Sequence, residues 1–358
     1  MTDYENAYAA LLDAGIFAQA QAQKSALLLR CLNSLTQHHV QHCDAYARIV
    51  GDAAPAASLT EVPYLAVRLF KLMHLSSIPD NEVFRTLTSS GTTGQTPARI
   101  TLDRETSARQ SKALVAIMQQ FIGKQRLPML IIDSPDVVRN PAFSARAAGI
   151  QGMAFFGRKP VYALNEDMSL NVEAVSAFCE AHQHEAVLIF GFTFMVWLHF
   201  VQALEREGMT LSLTKGRLIH SGGWKKLIDQ QVDNTTFKRT LKAVTGVPFV
   251  HNFYGMAEQV GSVFVECEQG HLHASGLSDV IVRDPVTLRV AKTGETGLIQ
   301  VLSAIPTSYP GHSLLTEDLG YVLGADDCAC GRPGRYFHVT GRLPKAEIRG
   351  CSDTGGSV

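Results

Sequence analysis

Two stretches of the sequence carry the residue types and spacing that chemistry needs. Residues 87–97 read LTSSGTTGQTP, with six hydroxyl side chains and two glycines, Gly91 and Gly94, three apart. Such a run turns several backbone N–H groups inward and adds hydroxyl donors, making a cradle for anionic phosphate oxygens. It is not a Walker A loop, because no Gly-Lys-Ser/Thr follows Gly94. The competing reading is a polar turn ahead of a helix. The second stretch is Cys328-Ala329-Cys330, which has Cys267, His271 and His273 upstream. Three sulfurs and one imidazole form a Cys3His set suited to a closed, structural Zn2+ site, and the set adopted is Cys267, His273, Cys328 and Cys330. His271 shares the strand face of His273, so the imidazole stays open between them. The alternative makes the cysteines small buried hydrophobes and the histidines surface residues, and Cys-x-Cys is less diagnostic than paired Cys-x2-Cys. Asp133-Ser134-Pro135 ends a strand, a plausible site position, and receives no role.

Positioning these residues falls to a chain of 358 residues, long enough for more than one lobe. Hydrophobic residues make up 46% and charged residues 18%, which excludes a disordered or fibrous protein. Lys and Arg number 32 against 33 Asp and Glu, so the net charge of −1 gives no reason to expect nucleic acid or an anionic membrane as partner. Seven cysteines are no disulfide framework, and the acidic N-terminus lacks the positive start of a signal peptide. Both point to a reducing, cytoplasmic setting.

Residues 186–204 contain no charge and approach the length of a membrane span. Gly191 and Thr193 interrupt the run, and a buried strand, Ala186–Phe190, leading into a buried helix, Thr193–Glu207, is the reading adopted. No membrane span is expected. Residues 1–75 read as helical, PYLAVRLFKLM at 63–73 included. Helices are expected at Arg104–Ile122, Val172–His182 and across 224–245, and strands at Pro128–Asp133, Gly216–His220 and Pro248–Tyr254. Strands alternating with helices predict an α/β fold with a largely parallel sheet covered on both faces. After Gly261 the helical period gives way to short alternating runs split by Gly and Pro, a β-rich lobe. His38, His39 and His42 read as a solvated helix face, and Phe192, Phe194 and Trp197 as core packing in preference to the wall of an alkyl tunnel.

The run Ser89-Ser90-Gly91-Thr92-Thr93-Gly94 resembles the phosphate-binding signature of the adenylate-forming superfamily, which includes acyl- and aryl-CoA ligases and firefly luciferase. Counterparts of that superfamily's other motifs follow in its order. They are Ser221-Gly222-Gly223-Trp224, Tyr254-Gly255-Met256-Ala257-Glu258, Gly294-Glu295-Thr296-Gly297, Thr316-Glu317-Asp318-Leu319-Gly320 and Gly341-Arg342. The resemblance implies ATP and Mg2+. Gly222 and Gly223 then shape the adenine pocket, Tyr254 and Gly255 pack on the base, Glu258 holds the metal, and Asp318 and Arg342 grip the ribose. It also implies the fold, an acyl-CoA-ligase-like large domain. Its expected divisions are a helical N-terminal region (1–80), an α/β nucleotide-binding core (81–260), a β-rich lobe (261–344) and a tail (345–358).

Ser308-Tyr309-Pro310-Gly311-His312-Ser313 before the Asp318 motif, and the ending Glu347-Ile348-Arg349-Gly350-Cys351-Ser352-Asp353, are similar to the acyl-protein synthetases of LuxE type, ligases of bacterial fatty acid reductase systems. This implies activation of a fatty acid as acyl-adenylate, transfer to an enzyme cysteine, and delivery to an acyl reductase partner. Cys351 is the candidate acceptor: a thiolate is a good nucleophile, Arg349 favours it, and flanking glycines let it swing. The competing reading is a passive surface thiol. The chain stops sixteen residues after Arg342, short of the superfamily's C-terminal domain and its lysine, for which Lys345 is the substitute at hand. Pro344 stands where that family has a polar hinge. Alternatives are an aryl- or acyl-CoA ligase or other acid-activating enzyme, with an aromatic acid as substrate, and a catalytically degenerate zinc-containing scaffold.

Overall fold

The computed structural model describes residues 1–88, 97–139, 145–224 and 231–343. The chain forms two compact units, one from Met1–Met118 together with the segment beginning at Gly255, the other from Gln119–Tyr254.

The first unit opens with three helices, α1 (Thr2–Asp13), α2 (Gln21–His42) and α3 (Asp44–Val50). In α1, Tyr4, Ala7, Tyr8 and Leu11 recur at three- and four-residue steps and are the buried face. The same spacing in α2 buries Leu28, Leu32, Leu35, Thr36 and His39. An extended residue, Cys43, separates α2 from α3. The helix expected over 63–73 is not formed. The chain there makes a two-residue strand, β1 (Leu65–Ala66), and a single turn, α4 (Leu69–Leu72). β1 pairs in parallel with Leu314 and Leu315, so tertiary pairing overrides the local helical pattern. An antiparallel hairpin follows, β2 (Arg85–Thr88) with β3 (Arg99–Leu102). Next comes α5 (Arg104–Ile122), whose first turn is capped by Asp103 accepting from the Thr106 N–H at 2.7 Å.

The second unit contains β4 (Leu127–Ile132), α6 (Asp136–Arg139), α7 (Ala145–Ala154), β5 (Gly157–Tyr162), α8 (Val172–His182) and β6 (Val187–Phe192). A helix, α9, then starts at Thr193–Met195, passes through a π segment at Val196–Val201 and closes at Gln202–Arg206. β7 (Gly216–Ser221), α10 (Asn234–Thr245) and β8 (Phe249–Tyr254) complete it. The strand order is β5-β4-β6-β7-β8 and every pair is parallel. β4 and β6 are buried along their whole length, the signature of a sheet covered on both faces. The apolar run at 186–204 is thus a strand and a helix, and no described helix is long and apolar enough to cross a membrane. Within the span 224–245 expected to be helical, residues 225–230 lie outside the described residues, 231–233 are not helical, and α10 starts at Asn234. Asp233 caps it there by accepting from the Thr236 N–H and hydroxyl, both at 2.8 Å.

The first unit resumes with β9 (Phe264–Glu266), β10 (Leu272–His273), β11 (Ser278–Arg283), β12 (Gly297–Ser303), β13 (Ser313–Ala325) and β14 (Arg335–Arg342). They run β11-β12-β13-β14-β10-β9, antiparallel throughout, with two register shifts between β13 and β14. α2 is tied to this sheet by a buried charge cluster. Lys24 Nζ lies 3.5 Å from Asp279 Oδ2, and Arg335 lies 3.2 Å from Asp279 Oδ1. Burial alone would push the Asp279 carboxyl up, but the two cations outweigh it and hold it below its usual range.

Candidate functional site

In the second unit, Ser221 closes β7 and Tyr254 closes β8, and these neighbouring parallel strands pair Ser221 with Phe253. Gly222, Gly223 and Tyr254 are therefore brought to the carboxyl edge of one open sheet, the edge where ligands bind in this architecture. Gly222 has φ +81°, and a Cβ there would lie 3.2 Å from the Phe192 ring, so the turn needs glycine. Trp224 leaves the turn to join a ring cluster with Trp197 (5.9 Å) and Phe237 (6.3 Å). Of the three aromatics expected in the core, Phe192 and Trp197 are buried and Phe194 is half-buried. At the end of β4 the strand order reverses between β4 and β6, and the buried Asp133 sits there, 3.3 Å from Arg146. Burial pushes its carboxyl up, against the pull of Arg146.

In the first unit, Gly255 leads to a short 3-10 turn, Ala257–Gln259, which carries Glu258 at 4% exposure. The side chain of Gln259 donates to the carbonyls of Val301 (3.1 Å) and Gly311 (3.0 Å), and the Val260 N–H donates to the Tyr309 hydroxyl (3.1 Å). Asp318 and Arg342 face each other across β13 and β14, with Arg342 Nε donating to Asp318 Oδ1 at 3.1 Å. A fixed carboxylate beside a guanidinium suits the hydroxyls of a ribose.

The sulfurs of Cys267, Cys328 and Cys330 and a ring nitrogen of His273 lie within 4.8 Å of one another. Cys267 follows β9, His273 is in β10, and the other two lie in the β13–β14 connection. Zn–S bonds of about 2.3 Å and Zn–N bonds of about 2.0–2.1 Å put tetrahedral S···S edges near ~3.8 Å and S···N edges near ~3.5 Å. Cys267 and Cys328 are 3.9 Å apart, and Cys330 lies 3.4 Å from His273 Nε2. The donor set and its spacing fit zinc. Burial drives His273 down to about 4, leaving a neutral imidazole suited to ligation. Burial raises the Cys267 and Cys328 thiols. It opposes the Cys330 thiolate too, yet the Arg332 N–H and the neighbouring thiols bring Cys330 below its ordinary value. His271 stacks on Tyr336 at 5.1 Å, with Nδ1 3.4 Å from Cys328.

Ser89, Ser90, Gly91, Thr92, Thr93, Gly94, Lys345 and Cys351 lie outside the described residues. The strands β2 and β3 that flank the phosphate-loop sequence were not among the expected elements. Their residues, RTLT and RITL, alternate too briefly to stand out. One expectation is corrected: His39 is no solvated residue. It is fully buried, with Nδ1 2.8 Å from the Ser77 hydroxyl and its ring stacked 5.0 Å from that of His312. Its spacing from Leu32, Leu35 and Thr36 was the signal, since all four fall on one helix face.

Comparison with known proteins gives a class first. The fold is that of the adenylate-forming ligases: the solved structure of 2-hydroxyisobutyryl-CoA ligase, in an open conformation with 2-HIB-AMP and CoA, superposes with a TM-score of 0.69 at 19% identity. The match covers 93% of this chain and 78% of that one. Residues 3–356 match the acyl-protein synthetase (LuxE) family, and the chain belongs to it; it is an AMP-forming acid ligase. The long-chain-fatty-acid–luciferin-component ligase of Vibrio harveyi is 25% identical over 351 residues, covering 93% of this chain and 88% of that protein. Its Aliivibrio fischeri counterpart is 21% identical over 300 residues, covering 82% and 78%.

Proposed function

We propose that this protein activates a fatty acid with ATP and passes the acyl group, through its own Cys351, to an acyl reductase. The observation that carries this reading is the family match, which runs through the tail bearing Cys351. In the first step a carboxylate oxygen attacks the α-phosphorus of ATP, the bond to the β-phosphate oxygen breaks, and pyrophosphate leaves with its electron pair. Two anions must approach, so their repulsion has to be neutralised. The Ser89–Gly94 run supplies N–H and hydroxyl donors to the phosphates. Glu258 offers the hard carboxylate oxygen that Mg2+ takes, and this metal, when bound, screens the phosphate charge. Tyr254, Gly222, Gly223 and Gly255 hold the base, while Asp318 and Arg342 fix the ribose so that the α-phosphorus stays in line.

In the second step the Cys351 thiolate attacks the acyl carbonyl and AMP departs, leaving a thioester. Lys345 is the cation nearest in sequence to the Gly341-Arg342 motif and takes the place of a carboxylate-contacting lysine. The cluster of Cys267, His273, Cys328 and Cys330 is read as a closed zinc site that staples strand ends and takes no part in either step. None of the six described cysteines is in a disulfide.

The test pairs two reactions on the full chain with radiolabelled dodecanoate. Glu258→Gln should abolish acid-dependent ATP–pyrophosphate exchange, and Cys351→Ser should keep exchange while losing covalent labelling. Undiminished labelling of Cys351→Ser removes that residue from the mechanism, and CoA-dependent AMP release by the native protein would replace the acceptor with CoA.

A further inference from the structure

The segment Ser308-Tyr309-Pro310-Gly311-His312 has no part in the chemistry above, yet its placement is unusually constrained. Tyr309 is fully buried, and its hydroxyl accepts the Val260 N–H at 3.1 Å. Its ring packs edge-on against Phe70 at 5.9 Å. The carbonyl of Gly311 accepts from Gln259 Nε2 at 3.0 Å, and the Val301 carbonyl takes the other amide hydrogen at 3.1 Å. A Cβ on Gly311 would collide with the Tyr309 ring and sit 2.9 Å from the Glu258 carbonyl oxygen. Ser262 completes the anchorage by donating to Ser303 at 2.6 Å. Residues 259, 260 and 262, immediately after Glu258, are thus each bonded to a different residue of the 301–311 stretch. From behind, His312 bonds Thr36 of α2 at 3.0 Å.

We infer that Tyr309, Gly311 and Gln259 form a platform that sets the position of the Glu258 carboxylate, making them positioning residues for metal binding at that site. A 3-10 turn of three residues has no hydrogen-bonding ladder of its own to fix a side chain at its centre. The bonds to Tyr309 and Gly311 supply what the turn lacks. Gly311 has to be glycine for a steric reason: a Cβ there would collide with the Tyr309 ring and press on the Glu258 carbonyl oxygen. This inference rests on the reading of Glu258 as the metal ligand and adds the residues that aim it.

The test uses the full chain with ATP and Mn2+, bound metal being read by electron paramagnetic resonance, so it needs no acid substrate. Tyr309→Phe keeps the ring and deletes only the acceptor for Val260. It should weaken Mn2+ binding about tenfold, the scale of one buried hydrogen bond, while the melting temperature falls by a few degrees. Thr36→Val removes the bond behind His312 and lowers stability similarly, but should leave Mn2+ affinity within twofold of native. Glu258→Gln should weaken Mn2+ binding more than either. Equal Mn2+ affinity in Tyr309→Phe and native protein, or equal weakening in Thr36→Val, overturns the platform. Unchanged binding in Glu258→Gln instead overturns the reading of Glu258 on which it stands.

Discussion

The stacked pair His39 and His312 predicts a loss of stability in mild acid whose size can be worked out. His312 is buried, with Nε2 3.0 Å from the Thr36 hydroxyl and Nδ1 without a hydrogen-bond partner among the described residues. Thr36 donates its own hydrogen to the Leu32 carbonyl, which assigns the imidazole hydrogen to Nε2 and leaves Nδ1 as a bare lone pair. A second proton at Nδ1 would create a buried cation with no acceptor. Burial accordingly drives the His312 pKa from 6.5 to about 3, with His38 adding a smaller push in the same direction. His39 is lowered too, by burial first and then by His312. The unfolded chain then binds protons that the folded chain refuses. Stability is therefore full above 6.5 and is lost as pH falls from there toward the folded pKa. For His312 alone the loss between pH 7.5 and 5.0 is about 2 kcal/mol, and the slope approaches ~1.4 kcal/mol per pH unit. His39 adds a loss of the same sign.

Urea unfolding at pH 7.5, 6.5, 5.5 and 5.0, followed by circular dichroism, measures it. His312→Asn keeps an amide donor for Thr36 and cannot titrate. It should start out less stable than native protein at pH 7.5, and the gap should narrow by about 2 kcal/mol by pH 5.0. Parallel stability curves for the two proteins would refute the reasoning. The carboxylates held low in the folded state, such as Asp233, act at lower pH and cancel in the difference.

Two further outcomes follow from the same unit. The protein purified without chelator should carry one zinc per chain by mass spectrometry of its metals, and Cys330→Ser should lose it along with several degrees of melting temperature. No metal in native protein, even after reconstitution with Co2+ and inspection for thiolate charge-transfer absorption, removes the site. In the buried charge cluster, Asp279→Asn strands the fully buried Lys24 and should cost about 3–5 kcal/mol, whereas Lys24→Met leaves Asp279 paired with Arg335 and should cost far less. Equal losses in urea unfolding would show that the cluster is not organised around Asp279.

What could be read from the chain in advance divides along physical lines. α5 and α8 run over the residues their apolar period marks, because each also has a side-chain cap at its start, Asp103 and Asn171. Periodicity failed where a partner distant in sequence decides. β1 exists because Leu314 and Leu315 lie beside it, and no local signal in PYLAVRLFKLM encodes that. β5 escaped notice because an edge strand with a charged Arg-Lys-Pro centre lacks an apolar rhythm. Nor could spacing choose between His271 and His273. The fold makes that choice: a ring nitrogen of His273 comes within 4.8 Å of all three sulfurs, whereas His271 stacks on Tyr336 with Nδ1 against Cys328.

The residues proposed to bear chemistry are easier to pick out in the sequence than those proposed to aim them, and the Glu258 turn shows why. Tyr254-Gly255-Met256-Ala257-Glu258 stands out in the sequence as the counterpart of a superfamily motif, and it is that resemblance that proposes its carboxylate as a metal ligand. The groups holding it need only a hydroxyl, an amide and a missing side chain at the right places. Such groups are common, and their meaning is lost without the fold. Gly311 has an obligatory identity because its absent Cβ would meet the Tyr309 ring and, from 53 residues upstream, the carbonyl oxygen of Glu258. His312 is silent as a ligand and informative as a buried neutral base for the same reason: its neighbours Thr36 and His39 come from a helix nearly three hundred residues earlier. A motif whose purpose is packing can be recognised from one sequence but interpreted only once its partners are in place.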